Sequence, residues 1–172
     1  VNISAGDVAD LSLPAYVGEL QSKLALPSDS LTLEITESAV MGEPDTAILA
    51  LGNLRKMGVK LSIDDFGTGF SSMAQLKRMP VNELKIDKAF VQKLAENADD
   101  RIMVKTLVSL ARNLGLETVA EGVEDEGSLS ILAEMQCNRA QGYHISRPKS
   151  VEQFEDWLLE QQDQSRVANA TG

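Results

Sequence analysis

The feature that most constrains the fold is an alternation. Short apolar runs of strand length recur along the 172 residues, each followed by a stretch with helical spacing, six times, at about 22 to 35 residues per unit. Val1 to Ser4 reads as the end of a strand. Leu13 to Leu24 carries Val17, Leu20 and Leu24 at helical spacing, and Pro27 to Ser30 is a turn. Leu31 to Thr36 alternates as a strand, and Pro44 opens a helix that Gly58 stops. Val59 to Ile63 is a strand ended by two carboxylates. A glycine-punctuated loop follows, then a short helix from Ser72 that stops before Pro80. Glu83 to Asp87 is a strand. Asp99 and Asp100 start a long helix with a stripe of Met103, Leu107, Leu110, Ala111 and Leu114, ended by Gly115. Thr118 to Ala120 is a strand, and Asp125 caps a helix to about Met135. Arg139 to Tyr143 is the last strand, and Val151 to Glu160 the last helix, with Phe154, Trp157 and Leu158 on one side. Residues 162–172, polar and small, read as a flexible tail behind a domain over 1–161.

Repeated strand and helix at this spacing demands crossover connections and a parallel sheet. The fold class is therefore α/β. A closed barrel of eight such units takes about 250 residues, so six units fit a barrel lacking two. An open doubly wound sheet fits the same pattern, although no dinucleotide-binding glycine fingerprint follows any strand.

Apolar residues at 43% and charged residues at 24% suit a soluble globular chain. A net charge of −10 argues against a DNA or RNA polymer as partner, which calls for a basic face. One cysteine, Cys137, excludes an internal disulfide and fits a reducing compartment. No apolar run approaches the roughly 20 residues of a membrane span, and no signal peptide is visible. The opening Val1-Asn2-Ile3-Ser4, without Met, reads as a piece that begins inside a domain.

The ends of the expected strands carry Asn2, Glu34, Asp64 with Asp65, Lys85, Glu121 and Gln141. Each has a dull account alone: a helix-start carboxylate for Glu34 or Glu121, a cap for Asp64 or Asp65, an ion-pair partner for Lys85, a turn former for Asn2 or Gln141. In a parallel barrel all these ends open on one face, where catalytic groups gather. Adjacent aspartates repel, and a divalent cation between them relieves that. Hard ions such as Mg²⁺ take carboxylate and amide oxygens, and two of them can hold the attacking and leaving oxygens of a phosphate ester. Gly67 and Gly69 let the following loop wrap a bound group closely. His144 is the sole histidine, which disfavours a Ser-His-Asp triad and reads as surface or packing.

Several segments, taken together and in order, resemble a known family: Glu34-Ile-Thr-Glu37-Ser38, Asp64 to Ser72, Leu76 to Pro80, Leu84-Lys85-Ile86-Asp87, Ala120 to Glu124, and Gln141-Gly142-Tyr143. The family is that of the EAL-domain cyclic-di-GMP phosphodiesterases of bacteria. The resemblance runs from Asn2 to Pro148. It implies a modified TIM-like (β/α)8 barrel, here incomplete with about six units, and hydrolysis of cyclic-di-GMP to linear pGpG with Mg²⁺ or Mn²⁺ in a two-metal site. By motif, Asn2, Glu34 and Asp64 match the ligands of one ion, and Asp64 and Asp65 those of the second. Lys85 matches a lysine that holds a catalytic water, Glu121 a catalytic glutamate, and Gln141 a residue near the metals. Glu37 matches the anchor of the loop after Asp65, a loop tied to homodimerisation and control, and Glu124 and Tyr143 match the guanine pocket. The resemblance further implies a bacterial cytoplasmic domain whose parent carries GGDEF or sensory domains and, in some architectures, a membrane anchor.

The Glu-Ala-Leu motif that names the family, with its metal-ligand glutamate, does not occur in these residues. Little or no activity is therefore expected of the 172 residues alone. The competing reading is a catalytically inactive cyclic-di-GMP receptor or interaction module. The intact Asp64-Asp65 pair, Lys85 and the glutamates weigh toward catalysis.

Overall fold

A computed structural model describes residues 1–67 and 73–170, apart from the side chains of Met41 and of residues 162–170. In chain order the elements are β1 (Asn2–Ile3), α1 (Ala5–Ala9), α2 (Leu13–Leu24), β2 (Thr32–Thr36), α3 (Glu37–Met41), α4 (Pro44–Lys56) and β3 (Lys60–Phe66). They continue with α5 (Met73–Arg78), β4 (Glu83–Ile86), α6 (Lys88–Val91), α7 (Ala98–Asn113), β5 (Glu117–Glu121), α8 (Glu126–Glu134), β6 (Arg139–Gln141) and α9 (Val151–Ala170). All neighbouring strands are parallel, and their order in the sheet is their order in the chain. A doubly wound sheet reverses its strand order at a switch point. This sheet has none, so it is six consecutive staves of a barrel with β1 and β6 as edges.

The strands owe their two faces to alternation. Leu33, Ile35, Leu61, Ile63, Leu84 and Ile86 are buried in one cluster with Leu51, Leu54, Leu76, Val104 and Val108 of the helices. The alternate residues, among them Glu34, Ser62, Asp64, Lys85, Glu121 and Gln141, stand on the opposite face. The lumen side of the barrel is thus unusually polar, and the chemistry of the strand ends is written on that side.

Three short helices, α1, α3 and α6, escape the sequence reading, each four or five residues long at the exit of a strand. The signal for α1 was present: Ser4 accepts from the Asp7 amide while the Asp7 carboxylate accepts from the Ser4 amide, a reciprocal cap. Helix α7 starts at Ala98, one residue before Asp99, with the Asn97 side chain as its cap. Its buried stripe is Val104, Leu107, Val108 and Ala111, while Met103 is exposed. Helix α9 continues to Ala170, beyond the expected end at Glu160, over a run that holds neither glycine nor proline. The start expected at Ser72 lies outside the described residues, which resume at Met73.

Candidate active site

Strand β3 runs through both aspartates to Phe66, three residues past Ile63, where its apolar run ends. In a regular strand, neighbours such as Asp64 and Asp65 point to opposite faces. Here the β3–β4 register shifts between Ile63 and Phe66, and Asp65 takes the left-handed conformation with φ 55°. Aspartate tolerates that region better than most residues. A bulge of this kind re-aims one side chain, and both carboxylates turn toward the same mouth. Carboxylate oxygens of Asp64, Asp65 and Glu121 lie within 4.8 Å of one another. Asp65 is further linked to Asp87, two residues beyond Lys85, by a side-chain hydrogen bond. Sequence reasoning had left Asp87 out. Its position two beyond Lys85 at a strand end was the available signal.

Lys85 sits among these groups and is 4% exposed. Its Nζ lies 2.7 Å from Glu121 Oε1, 3.1 Å from Glu34 Oε2 and 3.2 Å from Asp64 Oδ1. An ammonium has three protons, and each faces a carboxylate from a different strand. Burial by itself pushes the lysine pKa down, but the hydrogen bond and charge of Glu121, then Glu34 and Asp64, outweigh it and hold the pKa well above its ordinary value. The ammonium is therefore fixed in its charged form. Burial first, then the hydrogen bond that the Asp65 carboxyl donates to Asp87 and the charges of Asp64, Asp87 and Glu121, raise the pKa of Asp65. Five carboxyl groups thus share the site with one ammonium, which three of them contact. That excess of hard oxygen donors suits divalent ions of the Mg²⁺ or Mn²⁺ kind.

The remaining expected residues fall around this centre. Asn2 is opposite Glu34 in the β1–β2 register, at the open edge. Gln141 is opposite Glu121 in the β5–β6 register. Glu37, 6% exposed, opens α3 directly after β2; the loop it is expected to anchor, residues 68–72, lies outside the described residues. Glu121 and Gln141 also form one side of a cavity of about 650 Å³ that includes Glu124 and Tyr143. Glu124 accepts from Gln92 Nε2 at 3.0 Å, and the Arg147 guanidinium lies 4.6 Å from the Tyr143 ring centre. Phe154 and Trp157 of α9 complete the wall. His144 faces outward and pairs with Glu126 at 3.0 Å.

Parallel staves in chain order place an acidic cluster at the mouth formed by their carboxyl ends. Comparison with known proteins gives the class: the EAL domain family matches residues 1–148, and the chain belongs to that family. The chain is 44% identical over 90% of its length to a protein of Pseudomonas aeruginosa named as the bifunctional diguanylate cyclase/cyclic di-GMP phosphodiesterase MucR. It is 39% identical over 92% of its length to the cyclic di-GMP phosphodiesterase NbdA of the same species. It spans 22% and 20% of those two proteins. Among solved structures, the EAL domain of Mycobacterium smegmatis DcpA superposes with a TM-score of 0.87 at 38% identity, covering 92% of this chain and 71% of that one. The MucR phosphodiesterase in complex with c-di-GMP gives 0.84 at 44%, covering 90% and 62%. Among the described residues no helix is long and apolar enough to cross a membrane.

Proposed function

We propose that the domain to which these residues contribute hydrolyses cyclic-di-GMP to linear pGpG in a two-metal site. The observation that carries this reading is the convergence of Asp64, Asp65 and Glu121 oxygens within 4.8 Å around a buried, charged Lys85. Membership of the EAL family, and relatives whose names state this activity, support it. Asn2, Glu34, Asp64 and Asp65 would hold Mg²⁺ or Mn²⁺. Bound there, the ions would supply Lewis acidity and lower the pKa of water. Glu121 takes the proton of the attacking water. Lys85 orients that water or neutralises a phosphoryl oxygen, and its locked ammonium suits electrostatic work rather than proton transfer. Gln141 positions groups from the β6 side, and Glu124 and Tyr143 line the space open to a base. One water is added, one P–O bond to a ribose oxygen breaks, and the proton ends on that oxygen. The parent protein is proposed to carry further domains and to work as a homodimer.

The test is cleavage of cyclic-di-GMP with Mn²⁺ by a chain carrying the complete domain. Asp64→Ala and Glu34→Ala should each abolish turnover. Lys85→Ala should retain binding and lose cleavage. Tight binding without cleavage by the unaltered domain would assign it instead as a receptor, and turnover persisting in both carboxylate variants would defeat the metal assignment.

A further inference from the structure

We propose that Arg139 is a positioning residue for the candidate site: it holds β6 at the height that sets Gln141 beside Glu121. Strand β6 has three residues and, among the described residues, lies at the sheet edge and pairs only with Val119, Ala120 and Glu121 of β5. So short an edge strand is weakly specified by its ladder alone. The Arg139 side chain supplies what the ladder lacks. Its Nη1 donates to Glu83 Oε2 at 2.8 Å and its Nη2 to the Glu117 carboxylate. The guanidinium therefore reaches from β6 past β5 to β4. The other oxygen of Glu83 accepts from Ser62 Oγ at 2.9 Å, and Ser62 is fully buried on β3. Ser62, Glu83, Arg139 and Glu117 form one polar chain across four strands.

That chain lies in register with the site. Ser62 precedes Asp64 by two residues on the same strand face, Glu83 precedes Lys85 by two, Arg139 precedes Gln141 by two, and Glu117 precedes Glu121 by four. Each strand is thus tied one or two layers below the group it presents, a layer being about 7 Å along a strand. Arg139 itself does not touch the cavity that Gln141 lines; it lines a separate cavity at the opposite end of the strands with Thr32, Lys60, Glu83 and Glu117. An isolated surface pair has little effect, but this one differs from a pair such as Arg78–Asp45. The Glu83 side chain is 13% exposed against 85% for Asp45, and the planar fork of arginine fixes two acceptors at once.

The test is amide hydrogen exchange on the 172-residue chain. The Val123 amide donates to the Gln141 carbonyl and the His144 amide to the Val123 carbonyl, so both report the seating of β6. Arg139→Ala should speed exchange at these two amides about tenfold, with the amides of α4 unchanged. Arg139→Lys should fall between, since one ammonium replaces a two-pronged fork. Arg78→Ala, which removes an ion pair of equal length elsewhere, should leave both amides as they were. In the complete domain, Arg139→Ala should lower kcat for cyclic-di-GMP with KM unchanged. This catalytic arm rests on the proposed function; the exchange arm does not, so an unaltered domain that fails to cleave defeats the function and leaves the positioning role to be decided by exchange. Wild-type exchange in Arg139→Ala, or acceleration spread evenly over the molecule, would overturn the proposal.

Discussion

At the residue scale, desolvation and like charge act together on Asp65, and both oppose its ionised form. Its raised pKa means that the folded chain binds more protons than the unfolded chain in a window opening near 3.8. Stability therefore falls as pH rises through that window, and the deficit persists at neutral pH. Asp65→Asn removes it, and asparagine accepts the left-handed backbone as well as aspartate does. The variant should be more stable than the parent at pH 7 by less than about 1 kcal/mol, because the side chain is exposed and screened. Thermal melts should show the advantage vanish near pH 3 and shrink when Mn²⁺ is added. A variant less stable than the parent at pH 7 in metal-free buffer would contradict the argument. Lys85 presents the opposite case: its raised pKa keeps its stabilising charge throughout the ordinary pH range.

At the element scale, strand placement rests on a few polar side chains and one close approach. Asn82 Oδ1 accepts from the Leu61 amide and Asn138 Oδ1 from the Thr118 amide, so each asparagine adds a rung just before its own strand begins. Gly142 is the close approach. A Cβ there would run into the backbone of Val123, the residue that links the β5 exit to Gln141. Gly142→Ala should cost about 2–3 kcal/mol, read as a lowered urea midpoint; an unchanged midpoint would show that the loop yields freely. Helix α8 depends on Asp125, which accepts from the Ser128 amide and hydroxyl. The Ser128 backbone hydrogen bond, then its hydroxyl, lower the Asp125 pKa. The stabilisation is present above the unfolded value and is lost as pH falls through the folded one. Asp125→Asn keeps the cap without the titration, so below about pH 4 its melting temperature should fall less steeply than that of the parent. Parallel acid limbs would count against this cap.

At the scale of the whole molecule the open barrel dominates. Strands β1 and β6 each leave one side of the backbone unpaired in the described sheet. Exposed apolar side chains include Val1, Leu11, Tyr16 and Leu24 in the segment from β1 through α2 and Tyr143, Ile145, Val151 and Leu159 in the segment after β6, besides Leu49, Met73, Ile102 and Met103 between them. Unpaired edges flanked by apolar surface favour association. Light scattering should show the 172-residue chain associating as its concentration rises, and a chain extended with further units beside β1 should melt higher and associate less. A monomer at every concentration would argue that the edges are adequately protected.

The sequence alone determined the alternation of strand and helix, and with it a parallel sheet. It also determined which polar residues lie in or near the last part of a strand, because apolar periodicity and strand exit are local properties. Asn2, Glu34, Asp64, Lys85, Glu121 and Gln141 were legible for that reason. Whether the sheet reversed or ran in order was left open by the pattern, and strand pairing decided it. Pairing also decided the bulge that turns Asp65 to the side of Asp64, the threefold grip on Lys85, the link from Asp87, and the reach of Arg139 across two neighbours. None of these could be read from spacing, since each depends on register between strands 20 to 56 residues apart.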